Sequence, residues 1–354
     1  MKVALIFSGY NQRAVIALCR YFKSIEYPFT IVACGPKDLI YKTKYADSVL
    51  LERKDRLLTT ELFLEISKYN RTGFIYLPTS EFLNSFVLKN TEFLKSIGIE
   101  PGMPAKDIYY RITNKWSSQE LLKNQSNILI PEIYVYGDEK IPCVLRPFRN
   151  INNGKVLYPL ICKTSNELNK NKISINCNDY FIQKYIVGQS YYFCSFLTSG
   201  GCFEGYWQEN LLQQPGGKSM VFARVCENPG IKVDGLMKII NKSGYFGPLM
   251  VEFILYKNEF YFIEINPRFW GPLQLCLEQC PQILDAYVSE WFGIEYFSDR
   301  KESDGFYSWY YGAKNCKSEL KAYPRLEQIN NVEEKLFSSD VYSRLDTLAL
   351  SRKY

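Results

Sequence analysis

Over roughly the first hundred residues, short apolar runs alternate with segments whose apolar positions recur every three or four residues. Val3 to Phe7 is a continuous apolar run ended by Ser8-Gly9, the pattern of a strand buried on both faces. Arg13 to Phe22 has helical spacing, and Phe29 to Cys34 is a second strand stopped by Gly35-Pro36. Ser48 to Leu51 and Phe74 to Leu77 read as further strands, with a helix over Thr60 to Lys68 between them. A strand–helix–strand rhythm of this kind predicts an open, mostly parallel sheet.

Pro101-Gly102-Met103-Pro104 breaks the rhythm, and the pattern changes after it. A helical segment covers Lys106 to Lys123. Aromatic and β-branched runs follow at Ile133–Tyr136, Cys143–Arg146, Tyr180–Ile186 and Tyr191–Leu197, the signature of an α+β region. This places domains at residues 1–104, 105–186 and 187–297, with an extension, 298–354, in which no motif is legible. The 354 residues and 47% hydrophobic content are enough to build several cores.

Two apolar runs, 249–256 and 260–268, flank the polar stretch Lys257-Asn258-Glu259 and read as a β-hairpin. A turn centred on Asn258 pairs Tyr256 with Phe260, Ile254 with Phe262 and Glu252 with Glu264. Directly opposed carboxylates repel unless a proton or a cation lies between them. Both runs are apolar on both faces, so the glutamates are expected to be partly desolvated rather than spread on a solvated surface. At period two, Asn266 and Arg268 share the face of Glu264. Two carboxylates, an amide and a guanidinium on one face suit a metal-bound polyphosphate: the carboxylates and Asn266 as oxygen ligands, Arg268 against phosphoryl charge.

Composition narrows the chemistry further. The chain has no histidine, which removes Ser-His-Asp and Cys-His nucleophiles and every His-ligated metal. The remaining inventory favours hard cations, Mg²⁺ above all, and phosphoryl transfer to a carboxylate, which needs no general base. The 43 Lys and Arg against 37 Asp and Glu give a net charge of +6, spread along the chain, which fits anionic small molecules such as nucleotides. No RNP, helix-turn-helix or zinc-finger pattern points to nucleic acid. The 11 cysteines are irregularly spaced, no apolar run is long enough for a membrane helix, and no secretory signal is evident. These features predict a cytoplasmic protein with reduced thiols and no membrane association. A homodimer is expected only from base rates.

The hairpin resembles that of the ATP-grasp superfamily, in its carbamoyl-phosphate-synthetase-like branch of carboxylate–amine ligases: Val251-Glu252-Phe253, then Glu264-Ile265-Asn266-Pro267-Arg268, then Phe269-Trp270-Gly271. Asn114-Lys115 resembles the Asp-Lys at the head of a helix whose lysine reaches nucleotide phosphates. Phe181 to Gly188 resembles the hinge of the fold, in which Gln183 stands for the usual Glu and backbone groups of Lys184, Tyr185 and Ile186 meet the adenine edge. The usual acidic ribose contact is absent, with Gln189-Ser190 nearby. Val144-Leu145-Arg146-Pro147 places Arg146 where the family has a second phosphate-binding lysine, and Asn150 to Lys155 is a glycine loop reduced to one Gly, with Lys155 as compensation. Gly216-Gly217-Lys218-Ser219 resembles the segment that approaches the acceptor, and Arg224 an anion contact. It is not a P-loop, because Leu212 stands where the first Gly is required. Ser8-Gly9 is either a ligand contact or only a turn.

The resemblance covers about residues 100–295 and implies an N-terminal α/β domain followed by a two-part ATP-grasp fold. It implies an ADP-forming ligase that joins a small-molecule carboxylate and an amine through an acyl phosphate. Its cofactors are ATP and two Mg²⁺, with Mn²⁺ as a substitute. Glu252, Glu264 and Asn266 are then the metal ligands, Lys115, Arg146 and Lys155 the phosphate contacts, and Arg268 and Arg224 the catalytic arginines. A bicarbonate-using carboxylase and a nucleotide-binding module without catalysis are the alternatives.

Overall fold

The computed structural model describes every residue except 55, 125–127, 153, 300–304, 317 and 352–354. Five parallel strands form the first sheet, in the spatial order Val49–Arg53, Phe29–Cys34, Val3–Phe7, Phe74–Tyr76 and Ile99–Glu100. Their burial on both faces explains the unbroken apolar runs. Helix Gln12–Ser24 packs its apolar stripe (Ala14, Val15, Leu18, Phe22) against helix Leu273–Gln279 and the core beneath it.

The helical segment after Pro104 is two helices, Lys106–Thr113 and Lys115–Leu122, rather than one. Asn114 breaks it by adopting an extended backbone, and its side chain caps the second helix by accepting from the Ser117 amide at 3.0 Å. A four-stranded antiparallel sheet follows, ordered Leu160–Cys162, Cys143–Pro147, Tyr180–Lys184, Ile133–Tyr134.

The largest sheet is antiparallel and runs Glu259–Asn266, Gly247–Tyr256, Gln189–Leu197, Phe203–Gln213, Met220–Cys226, Phe306–Ser308. Lys321–Ala322 pairs with the far end of Phe203–Gln213, so the extension beyond residue 297 adds two strands to this sheet. Its odd-numbered face (Tyr191, Phe193, Trp207, Val251, Phe253) packs on helix Val233–Lys242 and on Leu122. Its even-numbered face (Tyr192, Cys194, Tyr206, Met250) turns towards the first sheet and its helix. Phe253 and Phe262 are completely buried, and each contributes roughly 1.5–3 kcal/mol.

The hairpin turn differs in register from the sequence expectation. Lys257 and Asn258 both have positive φ, 51° and 61°, as a two-residue type I′ turn requires. Tyr256 therefore faces Glu259 and Ile254 faces Tyr261, one residue away from the predicted partners. A bulge between Glu252 and Phe253 leaves Ile263 unpaired and shifts the register back, so that Glu252 faces Glu264 as predicted. The described residues contain no helix long and apolar enough to cross a membrane.

Candidate active site

A cleft of about 680 Å³ opens between the three sheets. Glu252, Glu264, Asn266 and Arg268 lie together in its floor, and the bulged Ile263 lines it beside them. Glu264 is the hub. One of its oxygens is 3.2 Å from Lys115 Nζ and 3.5 Å from Arg146, and the other accepts from the Asn266 amide at 2.8 Å. Lys115, the first residue of its helix, is only 2% exposed and also donates to Asn150 Oδ1. Arg146 is buried on the central strand of the small sheet and donates to Gln183 Oε1 at 3.2 Å.

The two glutamates are electrostatically unlike. Burial pushes the Glu252 carboxyl up to about 7, and the charge of Glu264 pushes in the same direction. Burial also raises Glu264, but Lys115 and Arg146 outweigh it and hold that carboxyl well below the usual range. Ser190 donates to Glu252 at 3.3 Å, and behind it Asn210 donates to Ser190 at 2.7 Å and Gln208 to Asn210 at 2.7 Å. Ser190, expected near the nucleotide, is instead buried outside the cleft lining and supports Glu252 from inside the sheet.

The hinge residues Gln183, Lys184, Tyr185 and Ile186 line the cleft with Val144, Ile161 and Ile254. Gln183 is buried, exchanges hydrogen bonds with Gln119 and donates to the Pro131 carbonyl at 2.9 Å. The Lys184 amide donates to Glu132 at 2.8 Å and the Tyr185 amide to Pro142 at 3.3 Å. Two of the three amides expected at the adenine edge are therefore committed to backbone carbonyls of neighbouring segments.

Two expectations need correction, and one open alternative is settled. Arg224 is not in the cleft: it is paired with buried Glu209 at 2.6 Å, on the opposite face of the large sheet. Lys155 is exposed, outside the cleft lining, on a two-stranded tip whose neighbours Asn150, Ile151 and Val156 do line it. Asn153 of that loop lies outside the described residues. Ser8-Gly9 is a turn: a Cβ on Gly9 would stand 2.3 Å from Cys34 Cβ, and Ser8 is bonded to Asp38 at 2.7 Å. The ligand-facing residues begin immediately after it, at Tyr10 to Arg13.

The cleft also holds residues that the sequence did not single out. Glu81 stands beside the glutamate pair, where it accepts from Asn150 at 2.9 Å and lies 3.8 Å from Arg268. Like Tyr10 to Arg13, it follows the carboxyl end of a parallel strand, where open α/β sheets bind ligands; that position was the available signal. Lys321, from the carboxy-terminal extension, faces the cleft and acts electrostatically on Glu252. No sequence pattern marks it.

No family model matches the sequence, and no curated protein sequence matches it. Solved structures do match in three dimensions. The biotin carboxylase domain of Hydrogenobacter thermophilus 2-oxoglutarate carboxylase, a dimer in complex with MgADP, ADP and bicarbonate, superposes with a TM-score of 0.63 at 14% identity, over 86% of this chain and 73% of that one. N5-carboxyaminoimidazole ribonucleotide synthetase from Thermus thermophilus gives 0.61 at 14% identity, over 86% and 81%. Biotin carboxylase from Campylobacter jejuni, as a beta-gamma-ATP complex, gives 0.62 at 14% identity, over 83% and 72%. The protein has the ATP-grasp fold, an α/β parallel sheet joined to antiparallel sheets.

Proposed function

We propose that this protein is an ADP-forming carboxylate–amine ligase, with ATP and Mg²⁺ bound in the cleft described above. One observation carries the reading: Lys115 and Arg146 converge on Glu264 directly opposite a carboxylate, Glu252, whose charge is poorly compensated. A desolvated, opposed pair of this kind is stabilised by a divalent cation. Among the described residues no group of three or more His, Cys, Asp and Glu side chains is placed to hold a metal. Mg²⁺ needs fewer, because it keeps waters and phosphate oxygens and takes one or two carboxylates. Glu252 and Glu264, with the neutral oxygen of Asn266, fit that demand and give room for two ions, of Mg²⁺ or Mn²⁺. The bound metal supplies charge neutralisation on the polyphosphate.

Ile186, Val144 and Ile254, which line an apolar part of the cleft, would hold the adenine. Lys115 and Arg146, which pair with Glu264 at 3.2 and 3.5 Å, would bind the phosphates, and a divalent cation held by the glutamates would neutralise polyphosphate charge. The substrate carboxylate oxygen attacks the γ-phosphorus, the bond to the β-phosphate oxygen breaks, and ADP departs with that electron pair. Arg268, steadied by Glu81, holds the charge of the phosphoryl group in flight. The amine nitrogen then attacks the acyl carbon, the carbon–oxygen bond to phosphate breaks, and the amine proton leaves with the phosphate. Residues 1–104, 105–186 and 187–297 act as the three walls of the cleft, and the extension closes the fourth side.

The neighbours are similar in fold, and one of them holds MgADP and bicarbonate, so bicarbonate belongs in the test as the rival carboxylate source. ADP release is measured over a matrix of small carboxylates and amines, with and without bicarbonate. The ligase reading expects release that requires both a carboxylate and an amine and is lost in Glu264→Ala. Release that requires bicarbonate alone assigns the carboxylase chemistry, and nucleotide binding without release on any combination assigns a binding module.

A further inference from the structure

One buried cation in the cleft has no acidic partner among the described residues. Arg13 is 8% exposed, lines the cleft, and forms no ion pair there. Its guanidinium donates to neutral groups only: the Met220 carbonyl at 2.9 Å, the Tyr307 hydroxyl at 3.2 Å and Ser219 Oγ at 3.0 Å. One face stacks on the Trp309 ring at 4.1 Å. Gly271 closes on the guanidinium from another chain segment, and a Cβ there would stand 2.8 Å from its terminal nitrogen. A side chain at the position after Phe269-Trp270 would push the guanidinium out of this place.

Asp340, whose charge is felt by the same Tyr307, does not compensate Arg13. Its oxygens accept from the Tyr310 and Tyr342 amides at 2.9 and 3.2 Å, and burial pushes its carboxyl towards the neutral form. A guanidinium withdrawn from water without a counter-charge is costly to the fold. Its planar fork suits a carboxylate or a phosphate. Four segments from distant parts of the sequence hold it: helix Gln12–Ser24, the Gly216–Ser219 loop, the Trp270-Gly271 turn and Trp309 of the extension. Lys218 adds a second positive charge to the same wall.

We propose that the second substrate of the ligase carries an anionic group, a carboxylate or a phosphate, bound at Arg13. The site lies on the wall built by the first sheet's helix and the carboxy-terminal extension, away from the Glu252–Glu264 floor. The inference rests on the ligase reading for the use of the cleft, whereas the anion site itself is measured independently of it.

The test is thermal unfolding with succinate, inorganic phosphate and neutral succinamide, alone and with saturating Mg²⁺ and a non-hydrolysable ATP analogue whose own phosphates fill the Lys115–Arg146 side. Succinate or phosphate at tens of millimolar is expected to raise the midpoint by about 2 °C in both conditions, and succinamide to leave it unchanged. Whichever anion gives the larger shift identifies the group. Arg13→Met is expected to weaken the anion effect by about tenfold or more while keeping the nucleotide shift. An unchanged anion effect in Arg13→Met overturns the proposal. If that variant fails to fold, the wild-type protein decides: equal shifts with succinate and succinamide, or none with either anion, overturn it as well. A missing nucleotide shift beside an intact, Arg13-dependent anion shift counts against the ligase reading and not against the site.

Discussion

Two glutamates in this protein each hold two cations, and they differ in what surrounds them. Glu209, 1% exposed, is clasped by Arg224 at 2.6 Å and Arg325 at 3.2 Å and accepts from the Tyr191 hydroxyl at 3.0 Å. No carboxylate opposes it in the sheet, where its partners are Tyr191 and Arg224. Glu264 meets Lys115 and Arg146 at the longer distances of 3.2 and 3.5 Å, and it faces Glu252. In the first cluster the acid itself is buried while its arginines reach solvent, and Arg325 ties the extension to the sheet. The second lies open to the cleft and carries repulsion that a cation relieves. An acid with two bases becomes a clasp or a site according to whether its charges are satisfied without a ligand.

The comparison breaks most readily through substitutions on either side. Glu209→Ala removes the shared acceptor of Arg224, Arg325 and the Tyr191 hydroxyl and is expected to destabilise the protein by about 2–4 kcal/mol in denaturant unfolding. ADP release per folded molecule stays within a few-fold. Glu264→Ala is expected to lower ADP release by about 10²–10³-fold, and its loss of stability is limited because Glu252, freed of the opposing charge, remains to compensate the buried Lys115 and Arg146. If the two variants behave alike, the distinction between clasp and site fails. Arg224→Gln removes one charged partner of Glu209 and is expected to cost about 1.5–3 kcal/mol of stability with turnover preserved; a selective loss of turnover restores the catalytic role first expected of it. Lys155→Ala, on the exposed tip, is expected to change stability by less than about 0.5 kcal/mol, and a large rise in the apparent KM for ATP restores it as a phosphate contact.

The sequence made the floor of the cleft legible because its signals are local. Glu252 and Glu264 are brought opposite each other by one hairpin, Asn266 follows at period two, and Asn114-Lys115 announces a capped helix. The hairpin reading contained two errors that cancel: the turn is one residue tighter than expected, and the bulge at Ile263 restores the register. Positions near the turn were therefore misassigned, while the glutamates were not. Arg13, Glu81 and Lys321 escaped notice because their meaning depends on segments far away in sequence. Arg13 is defined by Ser219, Gly271 and Trp309, which no spacing connects. The long strands Phe203–Gln213 and Met220–Cys226 pair locally with each other, but polar buried positions such as Gln208 and Asn210 interrupt the apolar pattern that marks a strand.

The central claim is that Glu252 and Glu264 hold a metal that binds the nucleotide. Isothermal titration of a non-hydrolysable ATP analogue, with and without Mg²⁺, tests it in the wild-type protein and in Glu264→Ala. The account predicts binding that weakens by about a hundredfold or more when Mg²⁺ is removed and an equal weakening in Glu264→Ala even with Mg²⁺ present. Nucleotide binding that is indifferent to both Mg²⁺ and Glu264 contradicts it.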